Sequence, residues 1–248
     1  MKRYLQLEKL FGADFLPATR TSAAAARPAP SSARAGGATE GRPKPVPKPA
    51  KPSLVPVVGP VELPPEMAAL RDEIAACTRC DALCRSRTQT VFGVGALDSP
   101  LLFIGEAPGE DEDVHGEPFV GRAGELLTGT LSRHRVRRSQ VYIANILKCR
   151  PPGNRVPEAV EMANCLGFLQ RQIGFIKPKL IVLMGNVALK GLLHSPRGIT
   201  SVRGTFTHYL GTRVLPTFHP AYVLRNMTAL PTFEADLKLA CRESGLLA

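Results

Sequence analysis

Four short, mainly apolar runs, each closing on a glycine or a polar residue, constrain this chain more than any other feature. Leu101–Ile104 runs into Gly105, Val141–Ile146 carries Asn145 near its end, Leu180–Met184 runs into Gly185, and Arg213–Phe218 runs into His219. Such runs are too short for core helices and too apolar for half-exposed strands. They suit strands of a parallel sheet covered on both faces. Helical periods separate them at Gly124–His134, Pro157–Ile173 and Asn186–Leu193, with further helices expected at 66–76 and 232–242. This alternation predicts an α/β fold, a three-layer α/β/α sandwich around a central four-stranded parallel sheet with right-handed crossovers. In that architecture the chemistry sits in loops beyond the carboxyl ends of the strands, and the unusual loops of this sequence fall there.

The pattern stops short of the N-terminus. Between Pro17 and Pro65 there are twelve prolines, and no aromatic residue occurs from Leu16 to Val91. A segment so poor in apolar surface does not offset its ordering entropy, so 17–65 reads as a disordered Pro/Ala/Lys-rich linker ahead of a domain spanning 66–248. Tyr4, Leu5, Leu7, Leu10, Phe11 and Phe15 share one face of a short amphipathic helix within 1–16. Gln6–Phe11 resembles the short peptides with which repair proteins bind sliding clamps, which makes a clamp or other repair partner an expectation for this segment.

The 248 residues carry a formal charge of +11, of which ten Lys/Arg against four Asp/Glu place +6 in residues 1–65. A basic balance makes nucleic acid the first partner to consider. No run of 18 apolar residues and no unbroken apolar N-terminal segment is present, so neither a membrane span nor a secretory signal is expected, and the location expected is cytoplasmic.

The six cysteines of such a chain read as metal ligands or buried thiols rather than disulfides. Cys77 and Cys80 form a CxxC at the end of a helix, whereas a thioredoxin-type pair opens a helix after a strand. Cys149 and Cys165 lie sixteen positions apart. Two near and two distant thiols suit an iron–sulfur cluster better than a zinc ribbon, with zinc left open. Cys84 competes for the ligand set, and Cys241 reads as a small apolar residue of the last helix.

Glycines at 105, 109, 116, 121 and 124 let the backbone approach a flat ligand closely. The absence of a Gly-Lys-Ser/Thr element excludes a Walker loop, and the dinucleotide fingerprint is missing too. Phe119 reads either as core or as an aromatic shelf for a base. Asn145, inside an apolar strand, is either a satisfied structural amide or a donor–acceptor pair matched to a pyrimidine edge. Lys148, Arg150 and Arg155 surround a double proline, as in a phosphate-facing loop. His219 stands at a strand end before Pro220, a site residue or a helix cap, and Leu224 and Arg225 read as a wedge and a phosphate contact.

Together GEAPGEDED (105–113), GEPFVGRAGELL (116–127), YIANILKCRPPGNRVP (142–157), KLIVLMG (179–185) and TFHPAYVLR (217–225) resemble the iron–sulfur uracil-DNA glycosylases, family four of their superfamily. The resemblance implies that Cys77, Cys80, Cys149 and Cys165 hold a [4Fe–4S] cluster. It implies hydrolysis of the N-glycosidic bond of deoxyuridine flipped out of single- or double-stranded DNA. In that reading Phe119 stacks on uracil, Asn145 reads its N3–H and O4, and Glu106, Ala107 and Pro108 line the pocket. Glu112 crowds the 5-methyl of thymine, and His219 donates to O2.

Ala107 stands where other branches of the superfamily carry a water-orienting Asp, so Glu106 and Asn154 become the candidates for positioning water. No Lys/Arg-rich insertion follows the Asn145 strand, so turnover rather than covalent trapping is expected. Ala221 replaces a small polar residue common in relatives. The rival from another class is a nucleic-acid-binding module with a structural metal site and no glycosylase activity. A nuclease built on Glu110–Asp113 lacks a second carboxylate cluster.

Overall fold

The computed structural model describes residues 63–247. The expected helix within 1–16, the clamp-binding peptide and nearly all of the 17–65 linker lie outside them. The first helix, α1 (Pro65–Ala75), opens on Pro65, where a missing N–H is harmless and φ is already helical. It buries Met67, Leu70 and Ile74 on one face. After α2 (Asp81–Ser86) and the two-residue strand β1 (Val94–Gly95) come β2 (Leu101–Gly105), α3 (Glu110–His115), α4 (Arg122–Arg133), β3 (Tyr142–Asn145), α5 (Ala159–Ile176), β4 (Leu180–Met184), α6 (Gly185–Leu193), α7 (Ile199–Val202), β5 (Thr207–Tyr209), β6 (Thr212–Thr217), α8 (Pro220–Arg225) and α9 (Leu230–Ser244).

The strands form one sheet in the order β1-β3-β2-β4-β6-β5. The parallel core β3-β2-β4-β6 is the expected four, with Gly105 beside Asn145 and Leu183 beside Pro216. The sheet is wider than predicted, because β1 and β5 add short antiparallel edges. Neither edge carries an apolar run: β1 is two residues, and Thr207 and His208 of β5 are exposed. Leu101, Leu102, Phe103 and Ile104 are fully buried, as a strand covered on both faces requires.

The chain leaves β2 toward β3 in one direction and returns across β2 to β4 in the other, so right-handed crossovers put the intervening helices on opposite faces. Accordingly α4 packs with α8 and α9, while α5 packs with α1 and α6. A crevice opens where the connections from neighbouring strands part, at the carboxyl ends of β2 and β3. Glu110–His115 forms the helix α3, whose acidic first-turn side chains sit favourably at the positive helix end.

Candidate functional site

In that crevice lies a cavity of about 460 Å³. Glu106, Ala107, Pro108, Glu112 and Phe119 reach it from the β2 exit, Asn145 from β3, Asn154 and Arg155 from the next loop, and His219 and Arg225 from the β6 exit. Residues separated by more than a hundred positions thus share one cavity, because parallel strands deliver all their carboxyl ends to one edge. Gly109, Ala123, Pro151, Val156 and Ala221 complete the lining. Gly109 was among the glycines expected to admit a flat ligand, whereas Ala123 and Val156, with neither charge nor aromatic ring, gave no signal of their own.

Space at the cavity floor is set by glycine. A Cβ on Gly105 would stand 2.4 Å from Asn145 Oδ1 and 2.6 Å from the Phe119 ring, so only a hydrogen at this position lets both side chains converge. Gly124 serves similarly, since a Cβ there would meet the Phe119 carbonyl at 1.7 Å. Phe119 adopts φ 56°, a left-handed conformation that side chains rarely take. Its ring centroid lies 5.6 Å from that of His219 with planes tilted by 35°. Both rings line the inner slot of the cavity, at whose floor Asn145 is 2% exposed. Its Oδ1 is buried without a hydrogen-bond partner, an acceptor held ready for a ligand.

His219 Nδ1 accepts the Ala221 N–H at 3.1 Å, which leaves Nε2 as the protonated donor. Burial, then the charge of Arg225, push the imidazole down to about 4. The ring is therefore a neutral donor at physiological pH. Burial pushes the Glu106 carboxyl up, and Arg225 offsets part of that rise. Among the described residues Arg225 forms no ion pair, so its charge stays available at the cavity mouth. Leu224 beside it is half-buried.

Glu112 lines the cavity, but its carboxylate is engaged by the backbone: Oε1 accepts from Val120 N at 3.0 Å and Gly121 N at 3.1 Å, and Oε2 from Gly109 N at 3.0 Å. The Gly-x-x-Glu spacing at a helix start was the available signal for this brace. Asn154 also lines the cavity, and its Oδ1 accepts from Arg150 Nε at 2.8 Å. Arg150 approaches Glu110 at 4.0 Å, whereas Arg155 grips Glu161 through two hydrogen bonds of 2.9 and 2.6 Å.

Lys148 requires a correction. Expected on a phosphate-facing loop, it is 1% exposed, with Nζ donating to Gln172 Oε1 at 2.6 Å, Asn145 O at 3.1 Å and Phe92 O at 3.2 Å. A side chain so enclosed does not reach DNA. Its partners come from helix α5, the end of β3 and the segment before β1, which no local pattern in the loop announces.

The cysteines lie away from the cavity. Cys77 and Cys80 flank the start of α2, Cys149 follows β3 and Cys165 sits inside α5. Among the described residues no three His, Cys, Asp or Glu side chains are gathered as for a metal ion. The four thiols are nevertheless near enough to affect one another. Burial first pushes the Cys80, Cys149 and Cys165 thiols up, Cys149 to about 11; Cys77 adds to the rise at Cys80 and Cys165, and Cys165 to that at Cys149. Three of the sulfurs accept N–H bonds: Cys149 from Arg87 Nη1 at 3.0 Å, Cys165 from the Lys148 N–H at 3.3 Å and Cys80 from Asn164 Nδ2 at 3.5 Å. N–H groups aimed at sulfur are how proteins support thiolates bound to iron. Cys84 donates to Cys77 O at 3.5 Å, and Cys241 is buried in α9.

The model of the uracil DNA glycosylase superfamily matches residues 92–242, which contain every cavity residue described above. The type-4 uracil-DNA glycosylase of Thermotoga maritima is 48% identical over 162 residues, covering 64% of this chain and 84% of that protein. The type-4 enzyme of Archaeoglobus fulgidus is 40% identical over 174 residues, covering 67% and 87%. A type-5 uracil-DNA glycosylase of Pyrobaculum aerophilum is 26% identical over 179 residues, covering 62% and 76%. The match thus spans more than half of the chain and most of each type-4 relative, and this chain belongs to the uracil-DNA glycosylase superfamily, in its type-4 branch.

Proposed function

We propose that the cavity receives a uracil flipped out of DNA and that this glycosylase hydrolyses the bond between uracil N1 and deoxyribose C1′, leaving an abasic site. The observation that carries the reading is the convergence in one cavity of the Phe119 ring, the His219 imidazole and an unpartnered buried amide oxygen of Asn145. Uracil N3–H supplies the donor that Asn145 Oδ1 lacks, and the amide N–H₂ meets O4. Cytosine presents the reverse pattern and leaves buried groups unpaired, a mismatch on the order of 10⁴-fold in such sites. Glu112 narrows the slot on the side of the pyrimidine 5-position.

As the C1′–N1 bond breaks, its electron pair passes to the base and spreads onto O2. The neutral His219 Nε2–H donates to that oxygen, so its hydrogen bond strengthens as charge develops. Water adds to C1′ from the opposite face and loses a proton, and the uracil anion takes one up. Glu106 is the group suited to hold that water, since the Oδ1 of Asn154 is already engaged by Arg150. Arg150 and Arg225 meet phosphates, with Arg155 holding the loop through Glu161, and Leu224 fills the gap left by the flipped nucleotide. The chain lacks the insertion associated with covalent trapping, so product leaves and the enzyme turns over.

Cys77, Cys80, Cys149 and Cys165 would hold a [4Fe–4S] cluster. The raised thiols, the N–H bonds to sulfur and the nearby Arg87 fit thiolates that need a compensating positive centre. Such a cluster would cross-link the segment before α2, the β3 exit and α5 through these four thiolates.

The test incubates the full chain with uracil-containing single- and double-stranded oligonucleotides, followed by alkali. Strand scission at uracil and none at cytosine or thymine is expected. A preparation with the visible absorption of an iron–sulfur protein and no scission would overturn the enzymatic reading in favour of a binding module.

A further inference from the structure

Arg138 lies in the turn before β3 and takes no part in the lining of the cavity. It is 5% exposed, and among the described residues it forms no ion pair. Nη2 donates to the Pro118 carbonyl, while Nε and Nη1 are buried without a partner. Burial pushes the guanidinium down, and the carboxylates of Glu117 and Glu112 act in the opposite sense. A buried charge with two idle N–H groups is a poor stabiliser, and an apolar side chain of similar volume would serve the core as well or better. Among the described residues its one side-chain hydrogen bond ends on the residue immediately before Phe119, whose φ of 56° is itself strained. On the other side, Glu112 grips Val120 N and Gly121 N.

We propose that Arg138 is a positioning residue that, with Glu112, clamps Pro118–Gly121 from both sides and so holds the Phe119 ring at the angle needed to stack on the flipped base. The inference rests on the glycosylase reading above. It adds a residue whose role lies behind the slot rather than in it, and it accounts for a buried cation that core packing alone does not require.

Arg138→Met and Arg138→Lys in the full chain test it, by single-turnover cleavage of a uracil:guanine duplex alongside thermal melting. Arg138→Met is expected to lose about 10- to 100-fold in rate, as small misplacements of positioning groups do. Its melting temperature should equal or exceed that of the wild type, a combination that an ordinary core residue does not give. Arg138→Lys keeps a donor for Pro118 O and should recover part of the rate. In a Phe119→Ala background, Arg138→Met should add less than about a further twofold loss, because the ring it positions is gone.

A rate for Arg138→Met within about twofold of wild type overturns the proposal, as does an undiminished loss in the Phe119→Ala background. Loss of rate and melting temperature together, without rescue by lysine, overturns it too. Should Arg138→Met fail to fold, Arg138→Lys takes its place: a milder loss that disappears in Phe119→Ala supports the clamp, and a loss that persists there overturns it. A wild-type chain that releases no uracil strikes the glycosylase reading itself, whereas an active wild type with an unaffected Arg138→Met strikes this inference alone.

Discussion

The loops leaving the neighbouring strands β2 and β3 each form a wall of the cavity, yet they are held by different chemistry. The β2 exit is closed by oxygen and nitrogen. Glu112 takes three backbone N–H groups, and the Asp113 carboxylate accepts Thr88 N at 3.0 and 2.9 Å, tying α3 to the segment before β1. The β3 exit uses sulfur acceptors as well as oxygen. Arg87 bridges Cys149 Sγ and the Cys77 carbonyl, at 3.0 and 2.8 Å, and the Arg155–Glu161 pair steadies the far end of the loop. The wall at the β2 exit is therefore preorganised by the chain's own polar groups, whereas on the function proposed above the wall at the β3 exit also depends on the state of its thiols.

Replacing a thiol breaks the symmetry of the two walls most directly. Cys149→Ser is expected to abolish measurable strand scission and the visible absorption together. In hydrogen exchange, the amides of 148–157 should lose protection while Val120 and Gly121 keep theirs. Loss of protection in both walls would show that the β2 exit also depends on the cysteines. If the four thiols hold the proposed cluster, treatment of the wild type with an iron chelator under reducing conditions should reproduce the pattern.

On the proposed mechanism, His219→Ala leaves both walls standing and removes the donor to O2. A loss of about 10²–10³ in rate is expected, the range found when one preorganised donor to a developing anion is deleted. The visible absorption should persist. Retention of the wild-type rate would remove His219 from the chemistry.

Gly105→Ala probes the floor where the walls meet. The added methyl would press on Asn145 Oδ1 and the Phe119 ring at 2.4 and 2.6 Å, well inside contact distance. Displacement of either by a fraction of an ångström should lower kcat/KM by roughly tenfold to a hundredfold. Because the methyl occupies the slot rather than the core, melting temperature should fall less than activity; the reverse order would place the strain in the sheet.

Much of this was legible in the sequence, for a definite physical reason. A parallel sheet buried on both faces leaves continuous apolar runs, so β2, β3, β4 and β6 announced themselves, and polar residues at their carboxyl ends stood out as Asn145 and His219. The edge strands were not legible, because two- and three-residue pairings depend on a neighbour rather than on their own composition. Lys148 misled for a related reason. A lysine between a strand and a double proline reads as surface, and only the acceptors Phe92 O and Gln172 Oε1, far away in sequence, make its burial tolerable. Arg138 was hidden within a basic stretch, where five of the six residues from Arg133 to Arg138 are Arg or His, and nothing local marks which one turns inward.

The smallest expected effect is the absence of one. With His219 pushed down to about 4, its charge does not change between roughly pH 6 and 8, so the catalytic rate should show no step assignable to it in that window. A step near pH 6.5 that vanishes in His219→Gln would mean that the imidazolium is the donor. Stability behaves differently. In the unfolded chain the ring titrates near its ordinary value of about 6.5, so the unfolded state binds the proton first as pH falls. The contribution of the neutral ring to stability is complete above about pH 6.5 and is lost progressively as pH falls toward about 4, where the folded ring also protonates. His219→Gln should therefore melt with a shallower dependence on pH across that interval than the wild type, while the two curves run parallel above it. Parallel curves throughout would mean that the ring titrates alike in folded and unfolded chains, and that the slot is wetter than its enclosed geometry implies.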